Sequence, residues 1–549
     1  MNRFTYFVFL FAVLFTVQIS AQLLNRVAEI TDPSQLERGF GSVIAGVDFD
    51  QDGLPEIYAI NTNMIDGDYE LIPRIYKFEW NPNTATWDSV WGAQAPLTLQ
   101  NTWPAMAWGD LDKDGKPEIY WGPVNYSPYP EVPRILVYEY SGSGEGMGVD
   151  DGFGGYEPNA STPIEAGDGI NLRPVRFVIG DPDGDDTDEL IFADRNGYWM
   201  VGILSVDDIP DNGGGLETWT TEFSGLGDIT LDGVGSMWDV TLLNNFVYVW
   251  DGNLTDGSKI WGIKHDENGY VSLPGQSGIA GGNSSWKASQ TVDLDKDGTD
   301  EVLVAEWLGN TPGQGARVWL LQQAGDTLTS TELANLESLG AVRLNTSAVG
   351  DINGDGFLDL VIGSRYDANN TAKVPIFMLS YQGGDITNPA NYVASVIDSA
   401  YWNNNGDMEV YVGNIDGDPE DEALYTQGYS RGNPDDSPMP LIILDEQATP
   451  VAVEKETDNV PTEFYLSQNF PNPFNPSTQI KFGLTEASNV DLRVYDILGK
   501  EVAILANNKF LSAGSYNVKF DASNLASGIY IYKLTAGSNT ISKKMQLLK

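Results

Sequence analysis

Acidic residues recur six times along the chain in one spacing, at positions 1, 3, 5 and 9 of a short segment. The sets are Asp48, Asp50, Asp52 and Glu56; Asp110, Asp112, Asp114 and Glu118; Asp181, Asp183, Asp185 and Glu189; Asp293, Asp295, Asp297 and Glu301; Asp351, Asn353, Asp355 and Asp359; and Asn414, Asp416, Asp418 and Glu422. Calcium takes six to eight oxygens at about 2.3–2.6 Å, and a tight loop with side-chain oxygens at these positions plus a carbonyl at position 7 supplies most of them. Magnesium fits less well, because it keeps several waters. A solvated turn explains one Asp/Asn/Gly cluster. Six copies ask for more, since carboxylates packed together without a cation repel one another at every site. The expectation is up to six structural Ca²⁺ ions, with no catalytic residue assigned.

Position 6 must turn the chain sharply, which suits Gly53, Gly115, Gly298 and Gly356; Asp186 tolerates the left-handed region, whereas Pro419 cannot enter it. The sixth loop is therefore the weakest match. An EF-hand shares the opening of this motif but needs a bidentate Glu at position 12 and flanking helices. Here position 12 is Ala59, Trp121, Phe192, Val304, Ile362 and Tyr425, and a β-branched or aromatic run follows position 9. The run reads as a buried strand, so the ion belongs in a strand-to-strand loop.

Composition narrows the chemistry. The 549 residues, 41% apolar and 11% aromatic, can bury a large core in more than one domain. The formal charge is -48, and six Ca²⁺ would leave it at about -36, so a nucleic-acid partner is not expected. The absence of cysteine removes disulfides, thiolate catalysis and iron–sulfur clusters. His265 is the single histidine and sits in text that reads as a strand end and turn, which suits a surface residue better than a catalytic base; no Gly-x-Ser-x-Gly elbow accompanies it. Residues 1–21, with Arg3, an apolar run and a Ser20-Ala21 exit, have the build of a secretory signal peptide. No later segment is long and apolar enough to span a bilayer, so no membrane span is expected in the mature chain.

The loops begin at 48, 110, 181, 293, 351 and 414, with one doubled interval. Inside it, the text around Asp239 keeps a leading acid and a following strand but has Thr241, Leu243 and Val247 at the ligand positions, as expected of a repeat without an ion. Second strands follow the loops at 73–80, 133–140, 317–321 and 374–381. Four short antiparallel strands repeated seven times describe an all-β, seven-bladed β-propeller. The loops resemble the FG-GAP or VCBS repeats of integrin-type propellers over residues 22–445. The resemblance implies that the residues named above hold calcium and that residues 24–30 complete the last blade beside 440–444.

Residues 446–460 are polar and aperiodic and read as a linker. The segment 461–549 then differs in charge, at net +3 against -51 for the rest. Strands are expected at 479–484, 490–495, 516–520 and 528–534, making a small C-terminal β-sandwich. Asn469-Phe-Pro-Asn-Pro-Phe-Asn-Pro, Val494-Tyr-Asp-Ile-Leu-Gly-Lys-Glu-Val502, Ala526-Ser-Gly-Ile-Tyr530 and the Lys543-to-Lys549 end resemble the C-terminal sorting domain of type IX secretion substrates. That resemblance implies Sec export, then recognition by the type IX machinery and delivery to the surface of a Gram-negative bacterium.

The leading function is a secreted or cell-surface binding or adhesion module for an extracellular glycan or protein. Trp80, Trp87, Trp91, Trp121, Trp286 and Trp402 are candidates for stacking on sugars, and equally for burial between blades. A calcium-assisted lyase acting on acidic glycans and a structural surface or matrix component are the alternatives.

Overall fold

The computed structural model describes residues 18–19 and 24–549, except for 36–37, 63–70, 82–83, 85, 97–103, 124–132, 163–171, 196–200, 211–218, 226–236, 252–258, 283–284, 286, 308–315, 368–372, 402–407, 419, 428–438, 446–452, 458–460, 486–487, 496, 498–500, 512, 523–526 and 538. Among the described residues there is no α-helix, and no helix is long and apolar enough to cross a membrane. The signal-peptide segment falls outside them except for Gln18–Ile19, which pairs in parallel with Val393 and Ala394.

Residues 25–445 form seven sheets built on four antiparallel strands each. In chain order their first two strands are Gly39–Val47 and Glu56–Thr62; Ala105–Gly109 and Glu118–Gly122; Pro174–Gly180 and Glu189–Asp194; Met237–Leu243 and Phe246–Asp251; Ser289–Val292 and Glu301–Ala305; Ala341–Gly350 and Asp359–Asp367; and Met408–Gly413 and Glu422–Gln427. The first strand of each sheet packs on the first strand of the next, and Met408–Gly413 packs back on Gly39–Val47. The arrangement is a closed, propeller-like ring.

Packing follows from the sequence of each second strand. Runs such as Glu118–Gly122 and Glu301–Ala305 are buried along their whole length, as strands covered on both faces must be. Apolar clusters then fill each gap between neighbouring sheets. One joins Tyr58, Trp91, Trp121 and Tyr138 across the first and second sheets. Another joins Ile30, Phe40, Ile57, Leu424 and Ile443 across the seventh and first.

The seventh sheet is completed by the N-terminal strand Asn25–Ile30, antiparallel to Leu441–Asp445, as the family resemblance implies. Arg26 fastens that strand through a bidentate pair with Asp398 of the sixth sheet, at 2.7 and 3.2 Å. Closing a ring with strands from both chain ends removes two exposed edges.

A separate sandwich follows, of two four-stranded sheets with Ile480, Phe482, Val490, Leu492, Val518, Tyr532 and Leu534 between them. Its strands include Ser477–Leu484, Ser488–Tyr495, Glu501–Leu511, Gly514–Asp521, Gly528–Ala536 and Asn539–Leu547. Val453–Thr457, inside the stretch read as a linker, pairs with Gly514–Asp521 and so belongs to this sandwich.

Candidate metal sites

Every acidic segment joins the first strand of a sheet to its second, so all six emerge at one end of the ring. Their backbones repeat. The N–H at position 6 donates to the position 1 carboxylate, from Gly53, Gly115, Asp186, Gly298 and Gly356 to Asp48, Asp110, Asp181, Asp293 and Asp351, at 2.9–3.1 Å. The N–H at position 7 donates to position 5, as from Lys116 to Asp114 at 2.8 Å and from Phe357 to Asp355 at 2.9 Å. Position 6 has φ between 69° and 89° in these five loops, the left-handed turn that the glycines suggested.

Position 4 is left-handed as well, at Gln51, Lys113, Gly184, Lys296, Gly354 and Gly417. Glycine at Gly184, Gly354 and Gly417 suits this turn, but Gln51, Lys113 and Lys296 carry no such signal, because Gln and Lys have no preference for positive φ. A non-Gly residue there costs about 1–2 kcal/mol, which the loop's hydrogen bonds must offset.

The position 9 acid is the most telling. Glu118, Glu189, Asp359 and Glu422 are at most 2% exposed and Glu301 is 3%. One oxygen takes the position 2 N–H: Leu111 donates to Glu118 at 3.1 Å, Ile352 to Asp359 at 3.1 Å and Ile415 to Glu422 at 2.7 Å. The other oxygen of each has no hydrogen-bond partner. Pro182 occupies position 2 of the third loop and has no N–H to give, so Glu189 lacks even the first bond.

Burial without a counter-ion drives these acids toward the neutral form. Burial, with the neighbouring Asp112 and Asp110, pushes Glu118 up to about 9. Burial and then Glu222, Asp183 and Asp185 push Glu189 to about 9. Burial followed by Asp416 takes Glu422 to about 10, and burial takes Glu301 and Asp359 to about 7 each. A divalent cation would reverse the preference by favouring the ionised form.

Ligand atoms of Asp110, Asp112, Asp114 and Glu118 all lie within 4.8 Å of one another, so the second loop assembles its whole set. Asp181, Asp183 and Glu189 converge in the third loop and Asp293, Asp295 and Asp297 in the fourth. Asp185 and Glu301 stand on the same turns, outside those groups. Asp351, Asn353, Asp355 and Asp359 repeat the backbone pattern. In the loop of Asn414, Asp416, Asp418 and Glu422, Asn414 uses its amide on the Asp418 carbonyl and the Gly417 N–H. Pro419 has no N–H for position 1, which makes this loop the least regular, as expected.

The first loop brings Asp48, Asp50 and Glu56 together, with Asp52 on the same turn, but a lysine the motif does not contain lies among them. The Lys77 ammonium is 2.7 Å from Asp50 and 2.9 Å from Glu56. In the fourth sheet the expected repeat is present, but Asp239 does not lead a loop. It stands inside Met237–Leu243, and the connection to Phe246–Asp251 is the two-residue turn Asn244-Asn245, both at positive φ. Asp239 is fully buried; it pairs with Arg176 at 2.8 Å and accepts N–H bonds from Ala288 and Ser289, tying three sheets together.

Trp91 and Trp121 are buried between sheets. Trp80 and Trp87 meet edge to face at 5.9 Å and line a groove against residues 27–31. Trp286 and Trp402 lie outside the described residues. His265 is exposed at the end of Lys259–Asp266, with its ring against Tyr270.

Comparison with known proteins agrees with this organisation. An FG-GAP-like repeat matches residues 48–121 and 293–362. A secretion system C-terminal sorting domain matches residues 468–547. No curated protein matches the chain. The chain is thus an all-β protein of FG-GAP-like repeats ending in a type IX sorting domain. That domain marks it for secretion or cell-surface attachment in a Gram-negative bacterium and implies contact with the secretion machinery.

Proposed function

We propose that residues 22–445 are a calcium-stabilised, seven-bladed β-propeller that serves at the cell surface as a binding or adhesion module for a glycan or protein. The signal peptide would start its export and the sorting domain finish it. The observation that carries the calcium reading is the buried position 9 acid whose second oxygen has no partner, repeated at Glu118, Glu189, Glu301, Asp359 and Glu422. A desolvated carboxylate left this way is costly unless a cation completes it. Ions held in such short connections act as rivets: each stabilises the folded ring by about 1–3 kcal/mol at ordinary saturation.

Ligand contact is assigned to the other end. The second-to-third and fourth-to-first connections leave the sheets there, and some are longer than the acidic loops, as between Thr62 and Arg74 or Gln427 and Leu441. Calcium-loaded residues 22–445 should capture a glycan or envelope protein from the organism's own surroundings. A glycan array and an envelope pull-down that both stay blank would overturn the binding reading.

A further inference from the structure

The first acidic loop differs from the other five in who neutralises it. Lys77 lies on the third strand of the first sheet, opposite Tyr58, and is 1% exposed. Its ammonium contacts four carboxylates: Glu145 at 2.6 Å, Asp50 and Glu79 at 2.7 Å, and Glu56 at 2.9 Å. Asp50 and Glu56 are positions 3 and 9 of the motif, and a calcium ion in this loop would need the same oxygens.

The equivalent place in the other sheets is apolar. The strand partner two residues beyond position 9 is Val137, Ile203, Leu320, Met378 and Ile443 in the second, third, fifth, sixth and seventh sheets. The second sheet is the closest control. Glu118 faces Glu139 as Glu56 faces Glu79, but Val137 stands in the place of the strand lysine, and Lys116 of the loop itself pairs with Asp114 and Glu139. Oε1 of both position 9 glutamates accepts no hydrogen bond, but in the first loop the Lys77 ammonium stands 2.9 Å from it as an ion pair.

We propose that the Lys77 ammonium takes the place of calcium in the first loop, making it a metal-independent weld while the other loops depend on the ion. An ammonium has three protons to give and draws the acids to 2.6–2.9 Å, and a divalent ion among the same oxygens would be repelled by it. Because Glu145 comes from the turn between Tyr140 and Met147 of the second sheet, the lysine also joins two sheets.

The inference rests on calcium filling the other loops, and two arms keep the failures apart. In the first, calcium bound to the full mature chain is counted by native mass spectrometry for wild type and Lys77→Met. The variant should carry one more ion; an unchanged count in a folded variant overturns the proposal. In the second, amine acylation of the wild type is mapped by peptide mass in calcium and in EDTA. Lys77 should stay as protected in calcium as in EDTA, within about twofold, under conditions where the stripped chain is still folded by circular dichroism; greater exposure in calcium means that the ion displaces it and overturns the proposal. The second arm needs no variant to fold, and it reads Lys77 whether or not the remaining loops hold calcium. Calcium absent from every loop would instead sink the reading in the preceding section.

Discussion

The loops beginning at Asp48 and Asp110 share one motif and one backbone, yet their acids face opposite electrostatic situations. Both sets converge, and both place a glutamate from the third strand, Glu79 or Glu139, beside the position 9 acid. In the first loop an ammonium already sits among the carboxylates, and burial raises the Glu56 pKa against the opposing pull of Lys77. In the second, Lys116 holds Asp114 at 2.6 Å and Glu139 at 3.2 Å from the rim, and the inner oxygen of Glu118 has no partner. Motif spacing builds the cage; a side chain on the neighbouring strand decides which cation completes it.

Stripping calcium breaks the comparison hardest. EDTA should lower stability by on the order of 10 kcal/mol if each of the remaining sites contributes about 1–3 kcal/mol, seen as a large fall in Tm. The effect grows with pH. In the stripped protein Glu118 and Glu189 titrate near 9, above their ordinary value of 4.5. The folded state then holds protons that the unfolded state has lost, so stripped-state stability is greatest below about pH 4.5 and declines up to about pH 9. The gap in Tm between calcium and EDTA should therefore be wider at pH 8 than at pH 5; an equal gap contradicts the assignment of these acids as ligands.

Lys77→Met comes next. In EDTA it leaves four clustered acids without their cation, which costs about 3–5 kcal/mol for a buried pair broken on one side. Adding calcium should restore much of that loss, a rescue measurable by chemical denaturation. Glu118→Gln is smaller: it should lower calcium-loaded stability by about 1–3 kcal/mol and have little effect in EDTA. Val137→Lys sharpens the pair most finely. It gives the second loop the first loop's lysine, and should remove one bound calcium while keeping calcium-loaded stability within the about 1–3 kcal/mol that one ion supplies, as equilibrium dialysis and a melting curve would register.

Much of this was legible in the residues. Position 9 begins an apolar run in each repeat, so the second strands and their loops could be placed, whereas the closure of 24–30 beside 440–444 was implied by the family resemblance and not by the residues themselves. The lysine was legible too, since 73–80 and 133–140 align residue for residue with Lys77 against Val137, but the motif drew attention to the acids alone. What stayed hidden has local causes. The strands Glu501–Leu511 and Asn539–Leu547 lack clean alternation, the first because bulges shift its register and the second because it is an exposed edge carrying Lys543 and Lys544. Asp239 looked like a loop acid because a buried carboxylate pinning three sheets leaves the same letter in the sequence as a ligand does.

Anomalous scattering near the calcium absorption edge, from crystals of the mature protein grown with calcium, addresses the central claim site by site. The account predicts peaks within the loops that begin at Asp110, Asp181, Asp293, Asp351 and Asn414, and none beside Lys77. Peaks missing from the Asp110 loop, or a peak among Asp48, Asp50 and Glu56 with Lys77 turned away, would contradict it.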